Sequence, residues 1–342
     1  MKLFNFLNQE IAIDLGTANT LIIHDDKVVV DEPSIVAKDK RTNKVIAVGH
    51  KAVQMHEKTN PTIETIRPLK DGVIADFGAA EDMIREMIKM IYKKPPLFSP
   101  AYTMVICIPS GITEVEKRAV VDSAEHAGAR EVYMIYEPMA AAIGIGIDVE
   151  EPHGNMVIDI GGGTTEIAVI SLSGIVCDQS IRIAGDAFTS DIIDFMRRQH
   201  NIMIGERTAE KIKINIGSAL TELDDAPPDY AVNGKDLMTG IPKQIMVSYS
   251  EVAHAMDKSI SKIEEAVLRG LEITPPELAA DIYKTGVYLT GGGALIRGLD
   301  KRLSQKTKLP VHVAEDPLRA VVRGTGVALK NIGRFSFLMT RT

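Results

Sequence analysis

The chain has 342 residues, 45% hydrophobic and 25% charged, with a formal net charge of −7 at pH 7. That length holds two sizeable cores, the balance is that of a globular protein, and the negative charge argues against a general nucleic-acid binder. No apolar run reaches a membrane span, the eight histidines show no metal-ligand spacing, and Cys107 and Cys177 sit in apolar runs as reduced thiols, which implies a reducing compartment.

Residues 1–8, MKLFNFLN, lack the long apolar region of a signal peptide. On a helix Leu3, Phe4 and Leu7 share one face, so the segment either packs on the first strand or lies in a membrane interface. Residues 11–23, IAIDLGTANTLII, read as strand, Asp14, Gly16, small polar residues and strand again. Residues 28–30, 34–37 and 43–49 continue as strands and 52–58 as a short helix. Residues 62–69 and 72–74 lead back, and nothing in this excursion signals chemistry. Asp76 caps a helix with Met83, Ile84, Met87, Ile88 and Ile91 on one stripe. The prolines of residues 93–100 make a loop whose Leu97-Phe98 tip either packs inward or faces outward.

Residues 103–109 read as a buried strand. Thr113 and Glu116 form a capping box for a helix that stops at Gly128. After a strand at 131–135, Glu137-Pro138 opens a helix rich in small residues, Ala140 to Ala142 and Gly144, which suits close packing at a hinge. By itself Glu137 is a carboxylate at a helix N-terminus.

The string at 157–166, VIDIGGGTTE, repeats the first hairpin: Asp159 matches Asp14 and Gly161 matches Gly16. Its glycines let backbone N–H groups close on an anion, and a strand-end aspartate can hold hydrated Mg²⁺. Two such hairpins face to face could clamp a polyphosphate. Helices follow at 185–199 and 206–216, the second holding Glu210 and Lys213 at ion-pair spacing. Strands fall at 230–232 and 244–247, and Ser250 caps a helix to about Gly270. A third cluster, Thr290-Gly291-Gly292-Gly293-Ala294, would let a base or sugar lie against backbone. Residues 299–306 read as helix, 311–313 as strand, and 318–331 as a final helix containing Gly324-Thr325-Gly326.

These three glycine motifs, in this order and with Glu137 between the first two, resemble the phosphate and adenosine motifs of the actin, Hsp70 and sugar-kinase superfamily. With EPMAAAIG and DIGGGTTEIAV, the whole chain resembles the rod-shape-determining bacterial actins, the MreB family. The resemblance implies an α/β, actin-like two-domain fold of ribonuclease H-like repeats around a nucleotide cleft. Its four subdomains would be IA (1–31, 75–145 and 319–342), IB (32–74), IIA (146–181 and 249–318) and IIB (182–248).

The same resemblance implies ATP and Mg²⁺, with slow hydrolysis coupled to polymerisation. Asp14 and Asp159 would hold Mg²⁺ through water. Thr17, Ala18, Asn19, Thr20, Gly161, Gly162, Gly163 and Thr164 would cradle phosphates, while Glu137, helped by Thr164, would orient the attacking water. Glu210, Lys211, Ile212 and Lys213, with Gly291, Gly292, Gly293 and Ala294, would meet sugar and base. Leu3, Phe4, Phe6, Leu7, Leu97 and Phe98 would touch lipid. Partners would be further copies of the chain, inner-membrane shape and cell-wall elongation proteins and the lipid surface, but no nucleic acid, at the cytoplasmic face of the membrane. A sugar-type kinase or an Hsp70-like ATPase is the alternative. No separate catalytic aspartate stands out for the first, and the chain ends sixteen residues after Gly326, short for the second.

Overall fold

The computed structural model describes residues 8–58, 61–92, 100–335 and 339–341. Leu3, Phe4, Phe6, Leu7, Leu97 and Phe98, the expected lipid contacts, lie outside them.

The first half opens with β1 (Asn8–Leu15), β2 (Asn19–His24) and β3 (Lys27–Pro33). A small excursion follows: β4 (Val36–Asp39), β5 (Val45–Val48), α1 (His50–Met55), β6 (Ile63–Ile66), β7 (Leu69–Lys70) and β8 (Val73–Ile74). Then come α2 (Phe77–Met90), β9 (Ala101–Ile108), α3 (Glu114–His126), β10 (Ala129–Tyr136) and α4 (Glu137–Gly144). The second half starts with β11 (Asn155–Ile160), β12 (Thr165–Ser171) and β13 (Gly174–Ile181). It continues through α5 (Gly185–His200), β14 (Ile202–Met203), α6 (Glu206–Ile216), β15 (Tyr230–Asp236) and β16 (Pro242–Val247). Next are α7 (Tyr249–Glu272), α8 (Pro276–Thr285), β17 (Val287–Thr290), α9 (Leu299–Thr307) and β18 (Val311–Val313). The chain then returns to the first half with α10 (Ala320–Lys330), α11 (Ile332–Phe335) and β19 (Thr340–Arg341).

One plan is used twice. The first sheet runs β19-β10-β9-β1-β2-β3 and the second β13-β12-β11-β17-β18. In each, an antiparallel three-strand meander is extended by parallel strands beside its first member, β9 beside β1 and β17 beside β11. The repeat seen in the two Asp-Gly hairpins is therefore a repeat of the fold. β11 and β12 are buried along their whole length, as expected of strands covered on both faces.

Helix starts follow local chemistry. The Asp76 carboxylate accepts from the Ala79 amide at 2.9 Å, and Thr113 and Glu116 form the reciprocal box. The long helix α7 is capped by Ser248 rather than Ser250, because Ser248 has Glu251 three residues on to complete a box. Helix α8 had no assignment from sequence; Ile282 is its one fully buried residue, so its apolar stripe is faint.

Between the sheets lies a shared core. Ala12, Val105 and Ile135 from the first sheet and Val157, Ala168 and Ile170 from the second pack around α4 and α10. These helices cross backbone on backbone at Gly144 and Gly324. A Cβ on Gly144 would run into the Ala320 carbonyl, and one on Gly324 into the Ala140 carbonyl. The small-residue string expected at a hinge serves this approach. Because main chain cannot retreat as a side-chain tip can, Gly324→Ala should destabilise the protein by about 3 kcal/mol in chemical denaturation. Gly333→Ala, where an added Cβ meets nothing within 4 Å, should change stability by no more than about 1 kcal/mol.

Candidate nucleotide cleft

The two hairpins have the same register. Leu15 pairs with Thr20 and Ile160 with Thr165, so each spans a four-residue loop. Each loop is closed by its first glycine, Gly16 N–H donating to Asn19 O at 3.1 Å and Gly161 N–H to Thr164 O at 2.9 Å. The loops meet tip to tip. A Cβ on Gly162 would lie 2.6 Å from the Ala18 Cβ, and one on Gly163 would lie 2.6 Å from Thr17 Oγ1. Glycine at 162 and 163 is thus required by the contact between halves, before any ligand is considered.

The excursion adds a residue pair that the sequence reading passed over. Asp71 and Gly72, at φ 51 and 80, form the two-residue turn between β7 and β8. The Gly72 amide donates to Thr17 Oγ1 at 2.9 Å, and Asp71 Cα would sit 2.9 Å from a Cβ on Gly163. Asp-Gly between two extended pairs is the signal that could have found it. Thr20, like Thr17 and Thr164, is buried. Its Oγ1 is 2.9 Å from Ser34 Oγ, which itself donates to Gly16 O at 2.6 Å, so Thr20 braces the first loop from behind.

Four carboxylates gather beneath the loops. Asp14 Oδ1 accepts from the Cys107 thiol at 3.2 Å, and burial raises its pKa to about 6. Asp159 Oδ1 accepts from Thr290 Oγ1 at 2.9 Å; burial, then the charges of Asp14 and Glu166, raise it to about 7. Glu166 has no exposed surface and accepts from the Ser110 amide at 3.2 Å and from the hydroxyls of Ser110 and Ser180 at 2.6 Å each. Glu137, in the first turn of α4, is held well above the usual carboxylate range, first by burial and then by Glu166, Asp159 and Asp14. No lysine or arginine among the described residues forms a salt bridge with any of the four. Desolvated negative charge without a protein counter-ion suits a divalent cation. No three described His, Cys, Asp or Glu residues converge as direct metal ligands.

The third glycine cluster packs against the second hairpin. Gly291, at φ 79, would drive a Cβ into the Ile160 carbonyl, and its amide donates to Pro317 O at 3.0 Å. Gly293 presses on the Ile160 side chain, Gly292 approaches Leu318, and Ala294 is buried. The start of α5 is tied to the hairpin by amides donating from Gly185 to Gly161 O at 3.1 Å and from Asp186 to Gly162 O at 2.8 Å. Lys213 Nζ reaches Gly185 O at 2.9 Å and Glu210 Oε2 at 2.7 Å, which brings the Glu210–Lys213 pair beside this hairpin. The other two residues of that string are placed differently. The Ile212 side chain is fully buried in the core of the second half and presents nothing to a ligand. Lys211, one helical step away, is exposed and lines a cavity with His56, Glu57 and Arg207.

A family model described as MreB/Mbl protein matches residues 8–336. The chain is 48% identical over 336 residues to the cell shape-determining protein MreB of Escherichia coli (strain K12), covering 97% of this chain and 96% of that one. It is 46% identical over 327 residues to the cell shape-determining protein Mbl of Bacillus subtilis (strain 168), covering 95% and 97%. The crystal structure of MreB5 of Spiroplasma citri bound to AMPPNP matches with a TM-score of 0.90 at 38% identity, over 96% of this chain and 98% of that one. Sequence, fold and cleft lead to one assignment: the chain belongs to the MreB/Mbl family of bacterial actin homologues.

Proposed function

We propose that the cleft binds ATP with Mg²⁺ and hydrolyses it slowly, and that the chain assembles into filaments at the inner face of the cytoplasmic membrane to direct cell shape and wall synthesis. The observation that carries this reading is the tip-to-tip pair of glycine hairpins above four carboxylates with no protein counter-ion. AMPPNP bound to the MreB5 relative supports the choice of nucleotide.

The loops at 16–19 and 161–164 supply amide N–H groups, and Thr17, Asn19 and Thr164 supply polar side chains, for the phosphates. Asp14 and Asp159 would hold Mg²⁺, which would supply neutralisation of phosphate charge. Glu137 accepts a hydrogen bond from the attacking water, helped by Thr164. Glu210 and Lys213 face the sugar and base, with Gly291 to Gly293 as backbone floor. Copies of the chain join head to tail, and such heterologous contacts do not close, so they yield filaments. Shape and elongation proteins of the inner membrane are the further partners.

Glu137→Ala should leave ATP affinity and folding intact while slowing single-turnover phosphate release by roughly 10²-fold. Asp159→Ala should instead weaken Mg²⁺–ATP binding. Pelleting and light scattering with ATP test assembly: a strictly monomeric wild type that moves phosphate to a sugar would favour the kinase.

The carboxylates also set a pH dependence. Asp14 and Asp159 start near 3.8 in the unfolded chain and rise to about 6 and 7 in the fold. Between about pH 4 and 7 the native state therefore binds more protons than the unfolded state, so their contribution is full at low pH and is lost as pH rises. Metal-free protein in chelator should lose a few kcal/mol from these groups across that range. Asp159→Asn should flatten the melting-temperature profile, and an unchanged slope would exclude the site as its source.

Lipid attachment through Phe4, Phe6, Leu97 and Phe98 would supply about 2 kcal/mol per buried side chain, weak for one copy and strengthened by repetition along a filament. Changing all four to polar residues should abolish co-sedimentation with liposomes in the presence of ATP.

A further inference from the structure

A cavity of about 580 Å³ lies where the excursion β4 to β8 faces α6. His56, Glu57 and Lys58 line it from one side and Arg207, Thr208 and Lys211 from the other. Its size is that of a small-molecule site. Neither the two glycine loops nor the four buried carboxylates contribute to its lining.

The charge in this cavity is uneven. Lys58, Arg207 and Lys211 face a single carboxylate, Glu57, in a chain whose net charge is −7. The nearby carboxylates are engaged elsewhere. Glu57 Oε1 accepts from the Glu206 amide at 3.1 Å. The Glu206 carboxylate has Arg67 at 2.9 Å and His56 Nε2 at 3.1 Å. Glu210, one turn beyond Arg207, is turned to Lys213 at 2.7 Å and to the Thr189 hydroxyl at 2.8 Å. Among the described residues no salt bridge reaches Lys58, Arg207 or Lys211. Arg207 and Lys211 stand four residues apart on α6, a spacing at which like charges repel.

The side opposite α6 is held in place. Thr65 Oγ1 is 2.9 Å from the second nitrogen of His56 and fixes its ring. Glu57 has a left-handed backbone, φ 58, and its carboxylate occupies the space that a Cβ on Gly205 would need. The Lys58 amide donates to Met55 O at 3.0 Å. Unpaired cations that converge on a concavity from two such elements suit an anion of high charge density. Arginine offers phosphate oxygens a planar fork, lysine a mobile point charge and threonine a hydroxyl donor. We propose that this cavity is a second ligand site, which takes an oligophosphate anion between Lys58 on one side and Arg207 and Lys211 on the other. The site does not depend on what fills the cleft.

The test is binding of tripolyphosphate to dilute full-length protein, below its assembly concentration, with Mg²⁺ in excess and the cleft saturated with AMPPNP, read by thermophoresis. One saturable site per chain is expected, and it should weaken as salt rises. Lys58→Gln combined with Arg207→Gln, one change from each side, should weaken it roughly tenfold or more, with AMPPNP affinity and melting temperature unchanged. Arg207→Lys, which keeps the charge and loses the fork, should give an intermediate loss. Displacement of tripolyphosphate by phosphatidylglycerol vesicles and not by phosphatidylcholine vesicles assigns the phosphate to a lipid headgroup; displacement by neither assigns it to a soluble anion. No saturable binding with the cleft filled, equal binding by the double variant, or binding no tighter than that of sulfate overturns the site.

Discussion

Like charges crowded together with little access to water need a counter-charge, and that requirement governs the centre of this molecule. Asp14 and Asp159 come from equivalent strand ends of the two halves, Glu166 from the strand facing Asp159, and Glu137 from the helix that carries the chain across. None has a cationic partner within the described fold. Protons can fill the deficit, which is why the carboxyls rise, and so can a hydrated cation. The serine hydroxyls on Glu166 and the threonine on Asp159 fix the carboxylates in place without neutralising them.

Much of the fold is local and was legible. The two Asp-Gly hairpins, the capping box at Thr113, the Asp76 cap and the small-residue helix at Glu137 are short-range patterns whose chemistry lies within a few residues. Ser248 was passed over for Ser250 because two serines compete there, and the glutamate three residues on decides between them. Helix α8 carried too faint an apolar stripe to be seen.

The site was legible only in outline. That Asp14 and Asp159 would share a cleft follows from the repeat. That Glu166 would be buried by Ser110 and Ser180 does not, because those partners lie 56 and 14 residues away. The string 210–213 was read as a block, but a helix sends successive residues to different faces. Glu210 and Lys213 stand together, Ile212 enters the core and Lys211 points to the rim. The Asp71–Gly72 turn shows the reverse case, a plain local signal in a stretch that seemed to lack chemistry.

The chain passes between the halves twice, once through α4 and once on entering α10, and these two passages touch at Gly144 and Gly324. A single tether would leave the halves free to turn about any direction. Two tethers pressed together main chain to main chain define an axis, and one rotational degree of freedom survives. Displacement then grows with distance from that axis, so a turn too small to disturb the shared core becomes a large movement at the far rim. A filament built from such units would inherit that single coordinate, and neighbouring subunits could sense cleft state as a change in twist.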